Sequence, residues 1–206
     1  MTVIVEDGAG SGAKLGIEST SKAARTLPYN AAGDYVGKKS TYRAAHPSTF
    51  AAPAGTASFF IIAGSASKTV KIHKIRISGF RLTTLAVFDV HVKKYSTARV
   101  GGTAVALVPT PLDSNFAAAT ASEVNVFTAA PTDGTLVGTI GSCSRINKST
   151  TVVDGADFAD IEFRFGDSPE TSAVVLRGTN QYVGVNFGAA PASAVTLTIE
   201  VEWTEE

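Results

Sequence analysis

The chain holds one cysteine (Cys143), one methionine and one tryptophan in 206 residues. A single cysteine excludes an internal disulfide framework and a Cys-based structural zinc site. Met1 to Glu6 carries acid rather than Lys/Arg and has no apolar core segment, so no signal peptide is expected. Together these point to synthesis in a reducing cytoplasm. Charged residues are scarce, at 17% against about 25% in an average globular domain. The formal net charge is zero, which argues against a simple nucleic-acid binder. Hydrophobic residues make up 44%, which argues against intrinsic disorder. No apolar stretch approaches the ~20 residues of a membrane-spanning helix, so no membrane role is expected.

What the chain has in quantity is Ala, Thr, Ser and Gly, which suit pleated sheet and tight turns. Its charge is balanced in sum but not in position. Residues 1–100 hold 14 basic and 5 acidic side chains, a net of +9; residues 101–206 hold 4 and 13, a net of −9. Two readings follow. Basic and acidic strands are neighbours within one fold, or the basic part docks on an acidic surface of another molecule. The basic residues are not interleaved with aromatics in a stacking pattern, so nucleic acid is not the expected partner.

Residues 1–52 differ from the rest. Val3, Ile4 and Val5 suit one short strand, and glycines follow at 8, 10, 12 and 16. From Ser19 to Ala52 the sequence has neither a period of 2 nor one of 3.6, and Pro28 and Pro47 punctuate it. This reads as an extended N-terminal arm, with 53–206 as the folded domain. Tyr29, Tyr35, Tyr42 and Phe50 are its expected interface anchors, and Lys38, Lys39 and Arg43 its steering charges.

Beyond Pro53 the pattern is β. Thr69–Ser78 alternates but slips phase at His73–Lys74, which predicts a bulge. In 85–95, Phe88, Val90 and Val92 share one face, with Asp89, His91 and Lys93 on the other. Pro131–Gly134 is a strong turn signal between strands at 124–128 and 135–140. Phe116–Ala121 is expected to form one helical turn. The last strand is the clearest, with Val195, Leu197, Ile199, Val201 and Trp203 facing one way. Eight to ten short strands without an amphipathic helix predict an all-β fold. The expected form is an antiparallel β-sandwich, jelly-roll-like, with an extended N-terminal arm.

Little in the sequence suggests chemistry. The glycines at 8–12 lack the GxxxxGK[ST] pattern of a phosphate loop and the helix of a dinucleotide fingerprint. His46, His73 and His91 form no short metal motif, although His73 and His91 are candidates to meet across neighbouring strands. Cys143 has no base marked beside it. Asp154, Asp157 and Asp160 do not match a calcium loop and read as a solvated acidic loop. A saccharide cleft wants exposed aromatics, and the sandwich offers only Tyr95 and Tyr182 besides Trp203. No catalytic residue, metal or cofactor is expected.

Several segments resemble structural proteins of tailed bacteriophages. VEDGAGSGAK (5–14) looks like the Glu/Asp-Gly-x-Gly start of many such proteins, and SKTVKIHKIRISG (67–79) resembles their first core strand. KKYSTARVGGTAVALVPTPLDSN (93–115) and FTAAPTDGTLVGTI (127–140) carry Ser-Thr-Ala, Gly-Gly-Thr, Pro-Leu-Asp-Ser and Pro-Thr-x-Gly turns in the same order. The resemblance covers roughly residues 1–20 and 60–145. It implies a non-enzymatic virion protein, most like a capsid decoration (cement) protein that bridges capsomers through its arm. It further implies the capsid exterior as the location, assembly in the host bacterial cytoplasm, the major capsid protein as partner and a homotrimer as the assembly. A tail, neck, baseplate or head-fibre component is one alternative. A carbohydrate- or receptor-binding β-sandwich is another.

Overall fold

The computed structural model describes residues 5–6, 14–17, 24–27, 39–82, 86–147, 160–166, 172–191 and 195–206. The chain divides into two compact units, Met1–Lys39 and Ser40–Glu206. In the first, β1 (Val5–Glu6), β2 (Lys14–Ile17) and β3 (Ala24–Leu27) form a three-stranded antiparallel sheet in chain order.

The second unit is an antiparallel β-sandwich, as the alternation predicts; among the described residues it has 13 strands rather than the expected eight to ten, and no helix. Its strands are β4 (Ser40–Ala45), β5 (Phe50–Ala52), β6 (Phe60–Ala63), β7 (Val70–Leu82), β8 (Ala86–Tyr95), β9 (Thr103–Ala106) and β10 (Thr110–Pro111), followed by β11 (Val124–Ala129), β12 (Leu136–Asn147), β13 (Ile161–Arg164), β14 (Val174–Leu176), β15 (Tyr182–Phe187) and β16 (Val195–Glu205). One sheet runs β10-β4-β16-β7-β13, with β14 also on β7 and β5 also on β16. The other runs β12-β8-β15-β6-β11-β9.

The core lies between the sheets. β16 sends Val195, Leu197, Ile199, Val201 and Trp203 inward from one side. Phe88, Val90 and Val92 of β8 meet them from the other. Each such side chain, fully buried, contributes roughly 1.5–3 kcal/mol by leaving water. A smaller apolar cluster of Ile61, Ala63, Tyr95, Phe127 and Tyr182 forms separately from this core. Arg99 covers it with its guanidinium 4.8 Å above the Phe127 ring.

The bulge falls where the phase slip predicts it. Glu202 lies opposite Lys74 and Trp203 opposite Ile72, so His73 is the extra residue. Its Nε2 lies 2.9 Å from Thr204 Oγ1. β13 and β14 flank β7 on either side of this residue.

Three expectations change. The arm boundary moves from 52 to 39, because β4 pairs with β16 and β10, and β5 pairs with β16. Phe116–Ala121 forms no helical turn; the amides of Thr120 and Ala121 instead donate to the Glu205 carboxylate. His73 and His91 lie on different sheets, so they form no cross-strand pair.

Among the described residues, part of the charge asymmetry resolves within the fold. Lys74 of β7 lies between Glu200 and Glu162, at 3.7 and 3.9 Å. Lys71 pairs with Glu206 at 2.8 Å, and Arg76 pairs with Asp160. Arg43 of β4 bridges Glu200 and Glu202. Basic β7 thus lies between acidic β16 and β13, and its excess charge is met by neighbouring strands.

Candidate interaction surface

The segment from β9 to β10 changes sheets. Leu107 N–H donates to Val124 O, which keeps it on the six-stranded sheet. Pro109 lacks an amide donor and interrupts the ladder. Thr110 and Pro111 then pair with Arg43 and Tyr42 of β4, and Leu112 N–H donates to Thr41 O. One strand edge of each sheet is thereby joined at the same side of the sandwich. A groove of about 570 Å³ opens there. Ala45, His46 and Pro47 form one wall, and Val105, Leu107 and Val108 belong to the other. The His46 amide donates to Ile199 O, continuing the β4 pairing past its end, and its ring Nδ1 is bonded to Ser48 O. The lining is mostly aliphatic. It suits apolar side chains, with Arg43 already engaged by two carboxylates. The hydrogen bond to Glu202, and then the charges of both glutamates, hold the Arg43 guanidinium above its ordinary pKa.

Two polar anchors hold the loops around the sandwich. The Glu205 side chain is fully buried and receives the amides of Thr120 and Ala121, the Thr120 hydroxyl and the Trp203 indole N–H. Asp133 receives the Ser58 amide at 3.0 Å and the hydroxyls of Tyr95 and Tyr182, both at 3.2 Å. The two tyrosine rings stack with centroids 4.5 Å apart. Gly184 lies beneath this cluster, where a Cβ would collide with Ser58 Oγ.

Burial, reinforced by the Asp133 charge, pushes the Tyr95 hydroxyl up to about 12. Burial is also the main cause raising Tyr182. Both phenols stay neutral in the folded chain at a pH where the unfolded chain ionises them. Their contribution is therefore intact below about pH 10, and that of Tyr95 is lost as pH rises through about 12. A near-ultraviolet absorbance titration should show Tyr95 and Tyr182 ionising late and together with unfolding. Ionisation of all five tyrosines near pH 10 in the folded protein would contradict this.

Comparison with protein-family models, with curated proteins and with solved structures returns no match.

The expected anchors separate. Tyr29, Tyr35 and Lys38 lie outside the described residues, as do Asp154 and Asp157. Lys39 is exposed at the end of the first unit. Tyr42 is 0% exposed, stacks on Trp203 at 5.7 Å and donates to Ala117 O. Phe50 is buried, with its ring 5.0 Å from that of His46. Tyr42 and Phe50 are therefore core residues of the sandwich rather than anchors for another molecule, and Arg43 is neutralised rather than steering. The saccharide reading loses its aromatics as well, because Tyr95, Tyr182 and Trp203 are all buried.

The groove was missed because Ala45, Pro47 and Ala106 carry no pattern in sequence. Glu205 had a signal. It falls in the inward phase of β16, two residues after Trp203, and a charge in core phase marks a buried carboxylate.

Proposed function

We propose that the protein is a non-enzymatic structural component of a tailed-bacteriophage virion, decorating the capsid exterior and stabilising it through contact with the major capsid protein. The sequence motifs at 5–14, 67–79, 93–115 and 127–140 are the basis for that family. The observation that carries the mode of action is the division of the chain at Ser40. Among the described residues, every strand of the sandwich comes from residue 40 onward, so the described strands of the N-terminal unit do not complete that core. A segment outside the core adds contact area on a capsomer without enlarging the domain. Because basic β4 and β7 are matched by acidic neighbours, the attachment rests on apolar and hydrogen-bonded contacts more than on long-range charge of these strands.

The test is quantitative mass spectrometry of purified particles, paired with binding of a chain lacking residues 1–39. A ratio to the major capsid protein near one to one is expected. The shortened chain is expected to keep its far-ultraviolet strand signal and to lose at least about tenfold in affinity for particles, a cost of about 1.4 kcal/mol. A few copies per particle would move the protein to the tail, neck or vertices. Absence from particles, or undiminished binding by the shortened chain, would defeat the reading.

A further inference from the structure

The two edges of the six-stranded sheet share a property. Residues 100–112, which include edge strand β9, contain no charged residue, and neither do residues 134–144, which form most of edge strand β12. Among the described residues, Val105 and Val108 are exposed at the first edge, and Leu136, Val137 and Ile140 at the second; Leu112, also exposed, lines the groove from the seven-stranded sheet. Charged side chains are the usual guard against association at a sheet edge, and both edges lack them over these stretches, Arg145 following near the end of β12.

The edges differ in shape. The β9 edge borders the apolar groove between β4 and the sheet-crossing segment. The β12 edge is bulged at two places. Its pairing with β8 skips one residue between Leu136 and Gly138 and another between Thr139 and Gly141. The extra residues are Val137 and Ile140, and bulging re-aims such side chains away from the ladder. Val137 is accordingly 61% exposed and Val108, on the groove side, 78%.

The geometry points to head-to-tail self-association, in which the β12 ridge of one copy seats Leu136, Val137 and Ile140 in the β9–β4 groove of the next. The ridge and the groove lie at opposite edges of one sheet, five inter-strand spacings or about 24 Å apart, so a copy cannot fill its own groove. A second copy supplies a matching occupant: uncharged over 134–144, aliphatic and exposed. The outer face of the seven-stranded sheet is the poorer candidate, since its ion pairs would have to be desolvated. The bulges also interrupt the row of backbone groups on β12, which favours side-chain docking over a continued strand ladder. A contact of this heterologous kind closes into a ring when the rotation between copies permits. The inference stands independently of where the protein acts.

Sedimentation velocity of the full chain, with Val108→Asp and Val137→Asp variants, tests it. The unaltered chain is expected to sediment as a closed assembly at ~100 µM, well above a micromolar dissociation constant. Each variant is expected to sediment as a single chain. Mixing the two should restore one contact, between the intact groove of V137D and the intact ridge of V108D, giving a one-to-one pair and nothing larger. A single-chain parent, a variant that still assembles, or a mixture that stays monomeric would each overturn the proposal. Far-ultraviolet circular dichroism checks folding, and Leu112→Ser with Leu136→Ser give the same test with milder changes.

Discussion

Replacing Glu205 with alanine is expected to lower stability by about 3–5 kcal/mol, the scale on which breaking a buried charged contact acts. The carboxylate accepts from Thr120 N at 2.8 Å, Thr120 Oγ1 at 2.7 Å, Ala121 N at 3.0 Å and Trp203 Nε1 at 3.0 Å. Lys68 Nζ stands 3.8 Å away as counter-charge. Alanine would leave two amides and an indole N–H without their acceptor, each costing about 1–3 kcal/mol less whatever water recovers. The 116–121 segment, which also accepts the Tyr42 hydroxyl at Ala117 O, would be released from the sandwich. Urea denaturation with tryptophan fluorescence reads the effect directly, because the single tryptophan is itself a donor to Glu205. A loss below about 1 kcal/mol would mean the network is replaceable by solvent.

The second large effect is expected at Asp133. Alanine there removes the acceptor of Ser58 N–H and of two tyrosine hydroxyls together, for a predicted loss of about 2–4 kcal/mol. The pairing has its own signature. With Asp133 replaced, Tyr95→Phe should cost less than it does in the parent chain, with a coupling of about 1–2 kcal/mol in the double-mutant cycle. Removing the Asp133 charge should also bring the Tyr95 ionisation down toward the ordinary phenol range, since that charge helps to raise it. Additive losses and an unmoved tyrosine titration would show that Asp133 acts only through the backbone of its turn.

The strands with one wet face are legible in the sequence. β16 and β8 alternate large apolar and polar residues, and the slip at His73 marks its own bulge. β4 and β5 were hidden because half their inward positions are alanine: Ala44 and Ala52 face the core beside Tyr42 and Phe50. An alternation of alanine with serine, threonine and arginine carries almost no hydrophobic contrast. Without a recognisable strand to bury them, their aromatics look like anchors in the sequence. β15 is buried on both faces, which removes its period without removing the strand. The groove and the Asp133 cluster are assembled from segments far apart in the chain. Pro131–Gly134 announces a turn, but nothing local says which hydroxyls that turn will meet.

The pairing of β4 with β16 sets an order of events during synthesis. Arg43 meets Glu202, 159 positions later, and β16 also supplies the partner for most of β7. At a translation rate of about 5–20 residues per second, β4 emerges on the order of ten seconds or more before the strand it must join. Through that interval Tyr42, Ala44, Ile75 and Ile77 have no sheet neighbour to bury them on the β16 side. The nascent chain must wait in an open state, and a holding chaperone at the ribosome has a defined window in which to act.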